Sequence, residues 1–211
     1  MKRAAVLLTC GLAWLAAQAA DGTRSYAFTA LLDGKPIGEH RFTVASDGAT
    51  RRVTSDADFS VKLLGFTAYR YRHHAEEQWS GDCLAGLQST TDDDGKPARV
   101  KLVKTGDANA IATAAGEQSV PGCLMTYAYW NPALRTQSRL LNPQTGKVDT
   151  VRVERVASSQ VTVRGREVPA TDWRISGGES PIDVWVDEQG DWVGLDSLVS
   201  NGKHKLSYRL R

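Results

Sequence analysis

After its first twenty residues the chain is divided into short, similar lengths by turn dipeptides. They are Asp33-Gly34, Asp47-Gly48, Gly81-Asp82, Asp94-Gly95, Gly106-Asp107, Gly165-Arg166, Gly177-Gly178, Gly190-Asp191 and Asn201-Gly202. Most recur about a dozen residues apart, the spacing of hairpins and not of helices. Glycine, and Asp or Asn beside it, supplies the positive φ that tight hairpins require. Between the turns, apolar residues alternate with polar ones. Tyr26, Phe28, Ala30 and Leu32 fall on one side of a strand, and His40, Phe42 and Val44 fall opposite Glu39, Arg41 and Thr43. Ile182, Val184 and Val186 share a face, as do Val193, Leu195 and Val199, then Leu206, Tyr208 and Leu210. Period two with evenly spaced turns predicts an all-β domain. Its form is a single antiparallel, strongly curved sheet, half-barrel or barrel-like, of about ten to twelve strands.

One stretch breaks this rhythm, from Pro121 to Asn142. Asn131 before Pro132 suits a helix N-cap and first position, so Ala133 to Leu141 reads as a short helix. A strand turning at Asn-Pro competes with that reading. Either way, a short helical or irregular segment near 123–141, rich in aromatics, is expected as a lid or plug across one end of the sheet.

The first residues read as an export signal. Lys2 and Arg3 precede an apolar run from Ala4 to Ala17, which ends in Ala17-Gln18-Ala19, a small-x-small cleavage pattern. The run holds about 14 residues, short of the ~20 that span a bilayer. Cys10 raises a lipid anchor as the alternative, but Thr9 stands where a lipobox has Gly, Ala or Ser. The expected organisation is a signal peptide over 1–19 and one β domain over 20–211, in a bacterial periplasm. Cleavage after Ala19 removes Lys2 and Arg3 and leaves as many acidic as basic residues. With no Lys/Arg block, no nucleic-acid partner is expected. No later stretch has membrane-spanning length.

Two cysteines then remain, Cys83 and Cys123. An even count in an oxidising compartment suggests one disulfide, worth about 4 kcal/mol in the chain-entropy account. Two separate buried thiols are the alternative.

The segment Tyr69 to Trp79 is the most distinctive. As a strand it puts Tyr69, Tyr71, His73, Ala75, Glu77 and Trp79 on one face. His-His-x-Glu-Glu tempts a metal reading, but His73 and Glu77 on a strand lie about 13 Å apart. The aromatic face either lines a ligand cavity or is core. His40, among Phe42 and Val44, reads as a hydrogen-bonded core histidine. Asp92-Asp93-Asp94-Gly95 resembles a calcium-loop fragment, yet Thr90 and Lys101 stand where that loop needs acids. Gly-x-Ser-x-Gly, His-Glu-x-x-His, Cys-x-x-Cys and P-loop patterns do not occur. No metal and no cofactor are expected.

Several stretches resemble a family of exported bacterial proteins of unknown function. They are Asp33-Gly34-Lys35-Pro36-Ile37-Gly38-Glu39-His40, Tyr69-Arg70-Tyr71 with Glu77-Gln78-Trp79, Thr91 with Asp93 to Lys96, Trp130-Asn131-Pro132, and the ending from Val184-Trp185-Val186-Asp187 to Tyr208-Arg209-Leu210. More distantly, the closing pattern is similar to periplasmic lipoprotein carriers of the LolA/LolB type. That resemblance implies a curved antiparallel sheet around a hydrophobic cavity closed by short helices, although no pair of lid helices is legible here.

The expected function is a periplasmic binding or carrier protein for a lipid-like or other apolar ligand. Tyr69, Tyr71, His73, Trp79, Tyr127, Tyr129 and Trp130 are its candidate ligand-binding residues. A structural or partner-binding protein with a filled core is the alternative. A hydrolase using a His/carboxylate pair from His40, His73 and Glu77 is the lesser one.

Overall fold

The computed structural model describes residues 22–63 and 66–211, so the expected signal peptide lies outside the described residues. The chain opens with a meander of eight strands. These are β1 (Gly22–Leu32), β2 (Lys35–Asp47), β3 (Thr50–Leu63), β4 (Phe66–Ser80), β5 (Cys83–Asp93), β6 (Lys96–Thr105), β7 (Ala108–Thr113) and β8 (Gly116–Pro121). An inner segment follows with β9 (Met125–Thr126), a 3-10 turn over Pro132–Thr136, β10 (Arg139–Leu141) and β11 (Val148–Thr150). A second meander completes the chain: β12 (Arg152–Val163), β13 (Arg166–Ser176), β14 (Ile182–Asp187), β15 (Trp192–Val199) and β16 (His204–Leu210).

The two meanders join into one 13-stranded sheet in the order β12-β13-β14-β15-β16-β1-β2-β3-β4-β5-β6-β7-β8. The seam is the antiparallel pair β1–β16, with Phe28 opposite Leu210 and Ala30 opposite Tyr208. Every pairing in this sheet is antiparallel and almost every connection is a hairpin. Asp33-Gly34 and Asp94-Gly95 carry φ of 49° and 79°, and of 52° and 81°, the conformation that Asp-Gly turns favour. The sheet is larger than the sequence suggests. It is also joined by a second, 3-stranded sheet, β11-β10-β9, in which β9 and β10 run parallel.

Alternation decides the faces. On β4, His73, Ala75, Glu77 and Trp79 are buried while His74, Glu76 and Gln78 are exposed. The inward residues of both meanders form one core, in which Trp192 is a hub. Its ring centroid lies 4.1 Å from Phe28, 5.0 Å from Phe42 and 5.1 Å from Tyr129. A smaller cluster holds Val161, Ala170 and Val193, with Trp185 and Leu210 against it.

The inner segment packs on the buried face of the sheet as a plug. Leu124, Met125, Leu140 and Leu141 are fully buried. Trp130 meets Trp79 edge-on at 5.3 Å, so β4 and β15 both converge on this segment. Its entry is stapled by the Cys83–Cys123 disulfide, with Cα atoms 5.0 Å apart, which resolves the cysteine alternatives. Arg51 stacks on Trp130 at 5.2 Å and bonds Asp82 at 2.9 Å, and Asn131 Nδ2 donates to Asp82 Oδ1 at 3.2 Å. At its exit the chain passes Gly177 (φ 104°), where a Cβ would stand 2.2 Å from the Thr150 carbonyl oxygen. The helix read over Ala133 to Leu141 is a correction. Asn131 does cap through Ala133 N–H at 3.0 Å, but the turn ends at Thr136 and Arg139–Leu141 pair as a strand. Leu134 is the one residue of that turn that is buried, too little apolar surface to hold a longer helix.

Candidate functional site

A cavity of about 750 Å³ lies between the plug and the buried face of the sheet. Cross-strand register explains the space. The row Phe42–Ser55–Ala75–Ser89 and the row His40–Ala57–His73–Thr91 run across β2 to β5. Large residues stand in both rows, but Ser55 and Ala75 are small, and both line the cavity. Thr126 to Trp130 and Asn142 to Gln144 form the roof, while Ile182, Leu195, Leu206 and Tyr208 form the far wall.

The floor is polar and internally bonded. His40 Nε2 and Ser55 Oγ are hydrogen-bonded at 2.7 Å, and His40 Nδ1 and the Tyr208 hydroxyl at 3.1 Å. His73 Nδ1 bonds Thr91 Oγ1 at 2.9 Å. Trp79 Nε1 donates to Glu77 Oε2 at 2.9 Å, and the Thr126 hydroxyl also contacts that carboxyl. Burial moves these groups toward neutrality. It lowers His40 to about 3, with His73 adding to the effect, and lowers His73 to about 4. It raises Glu77 to about 7 and pushes the Tyr129 and Tyr208 hydroxyls up. At neutral pH the floor therefore holds uncharged imidazoles and a carboxyl poised to take or lose its proton.

Towards the mouth, Tyr127 OH donates to Asp149 Oδ2 at 2.8 Å, and Lys147 Nζ lies 3.0 Å from Asp149 Oδ1. Burial, then Asp149, raises the Tyr127 hydroxyl. Among the described residues no group of three or more His, Cys, Asp and Glu side chains gathers closely enough to hold a metal ion.

Catalytic chemistry fits poorly. Ser55 and His40 have the separation of a nucleophile and base, but a phenol stands behind the imidazole instead of a carboxylate. An imidazole held near 3 is a weak base at neutral pH. Ser55 sits between paired strands on both sides, where backbone N–H groups serve the ladder and none is free to hold an oxyanion. His73 and Glu77 face the same cavity without bonding each other.

Of the sequence candidates, His73, Tyr127, Tyr129 and Trp130 line the cavity. Tyr69, Tyr71 and Trp79 do not. Tyr69 OH donates to Asp93 at 2.6 Å near the β4–β5 turn, Tyr71 stacks on Phe59 at 5.3 Å, and Trp79 is core behind Glu77. Period two assigns the face of a strand, not the depth along it, so the whole aromatic row looked equivalent. Ser55, Thr126 and Tyr208 were missed. For Ser55 a signal existed, in the run of small inward residues on β3.

A crystal structure described as a beta-barrel-like protein of domain of unknown function DUF1849 from Brucella abortus has this fold. The TM-score is 0.60 at 8% sequence identity, covering 89% of this chain and 94% of that one. At that identity the likeness is one of architecture. No curated protein matches the chain. Residues 28–211 match the family model described as domain of unknown function DUF6134, and the chain belongs to that family.

Proposed function

We propose that this is an exported, periplasmic binding or carrier protein that holds a small lipid-like or otherwise apolar ligand beneath the plug. The observation that carries the reading is the 750 Å³ cavity, where an apolar and aromatic wall that includes Phe42, Tyr129, Trp130, Ile182, Leu195 and Leu206 faces the polar floor of His40, Ser55, His73 and Glu77. A structural protein with a filled core would have large side chains where Ser55 and Ala75 stand. Carriers of the LolA/LolB type supply an architectural analogy, a curved sheet around an apolar cavity, and no more than that. The leading residues, with their small-x-small ending, support export.

Native mass spectrometry of protein recovered from the periplasm tests this. The expected result is a defined mass shift that organic extraction removes and identifies as an amphiphile. Ligand-free protein that also takes up no apolar dye overturns it in favour of a partner-binding role.

A further inference from the structure

We propose that the cavity is built for an amphiphile with a cationic amine head, with Glu77 as the counter-ion of its ammonium; this rests on the binding reading above. Glu77 is 7% exposed and lines the cavity. Among the described residues its carboxyl has two neutral partners, Trp79 and Thr126, and no cation. A buried carboxylate without a cation is costly, and that cost falls when a ligand brings the missing charge.

The rest of the lining points the same way. Its acids are Glu77, Asp149 and Glu179, and among the described residues no Lys or Arg lines it. Lys147 is paired with Asp149, and Arg51, the inward cation of β3, bonds Gly81 and Asp82 and covers Trp130. His40 and His73 stay neutral at pH 7 and supply no cation. A carboxylate or phosphate head would therefore find no Lys or Arg among the described lining residues to offset its charge. An ammonium meets Glu77 in a cavity that Phe42, Tyr129 and Trp130 also line. The apolar wall of Ile182, Leu195 and Leu206 accommodates the rest of the amphiphile.

Calorimetric titration of the folded protein with decylamine, decanol, decanoate and butylamine decides it. Decylamine should bind at least about tenfold more tightly than decanol, with decanoate weakest, and Glu77→Gln should erase the preference for amine over alcohol. Butylamine should bind far more weakly than decylamine, since it lacks the apolar body. In the wild-type protein near pH 6, where Glu77 is still largely protonated, infrared difference spectra should lose a protonated-carboxyl band as decylamine binds. That readout does not depend on the variant folding. Equal or tighter binding of decanol or decanoate overturns the amine assignment and leaves the binding reading standing. Butylamine matching decylamine overturns the amphiphile, and binding by none of the four overturns both.

Discussion

A carboxyl held at about 7 against an ordinary 4.5 ties folding to pH in the direction opposite to most acids. The folded protein binds the Glu77 proton more tightly than the unfolded chain. Its stabilising effect is full below 4.5 and is lost as pH rises through about 7. Glu77→Gln removes this dependence. Relative to the variant, the wild type should lose stability on the order of 3 kcal/mol between pH 4 and pH 8, read by urea unfolding at several pH values. His40 and His73, lowered by burial, act in the opposite direction below their ordinary value and cancel in the comparison. A difference that stays flat with pH refutes the assignment. The inward placement of Glu77 follows from the alternation of residues 69–79. Its lack of a counter-ion does not, because that depends on side chains from the plug and from the far wall.

The plug packs on the sheet through buried apolar residues, and the disulfide at its entry closes a loop with a sequence separation of 40. Replacing Cys83 and Cys123 by Ser should lower stability by up to about 4 kcal/mol in the chain-entropy account. Protein beginning at Ala20, denatured without reductant, should show almost no reactive thiol, and two thiols per chain would exclude the bridge. The hairpins were legible because Asp-Gly and Asn-Gly are self-sufficient signals whose φ values need no tertiary help. The plug was not. Its strands β9, β10 and β11 are two or three residues long, too short to show a period, and their pairing is set by the floor on which they lie.

The sheet as a unit depends on one seam. Within its own meander each seam strand is paired on one side only, β1 with β2 and β16 with β15, and the seam pairs the remaining side of both. Deleting residues 204–211 would strip Phe28 to Leu32 of their partners on the side away from β2 and separate β15, with Trp192, from β1. The truncated protein should show no cooperative thermal transition by circular dichroism, whereas a transition like that of the full chain would show that the meanders fold independently. The sequence supports the class, an antiparallel curved sheet, because turn spacing and alternation repeat through both meanders. Strand order was hidden at one place, where the chain leaves the β8 edge, crosses under the sheet and resumes at the opposite edge with β12.

The seam also sets an order in time. A chain made from its N-terminus presents β1 first among the strands of this sheet and β16 last. For nearly the whole of synthesis, β1 therefore has a bare edge, with Phe28 and Ala30 waiting for Leu210 and Tyr208. Until the last strand emerges, anything that binds extended chain can compete for that edge, so the interval before it is filled is when this protein most needs a chaperone.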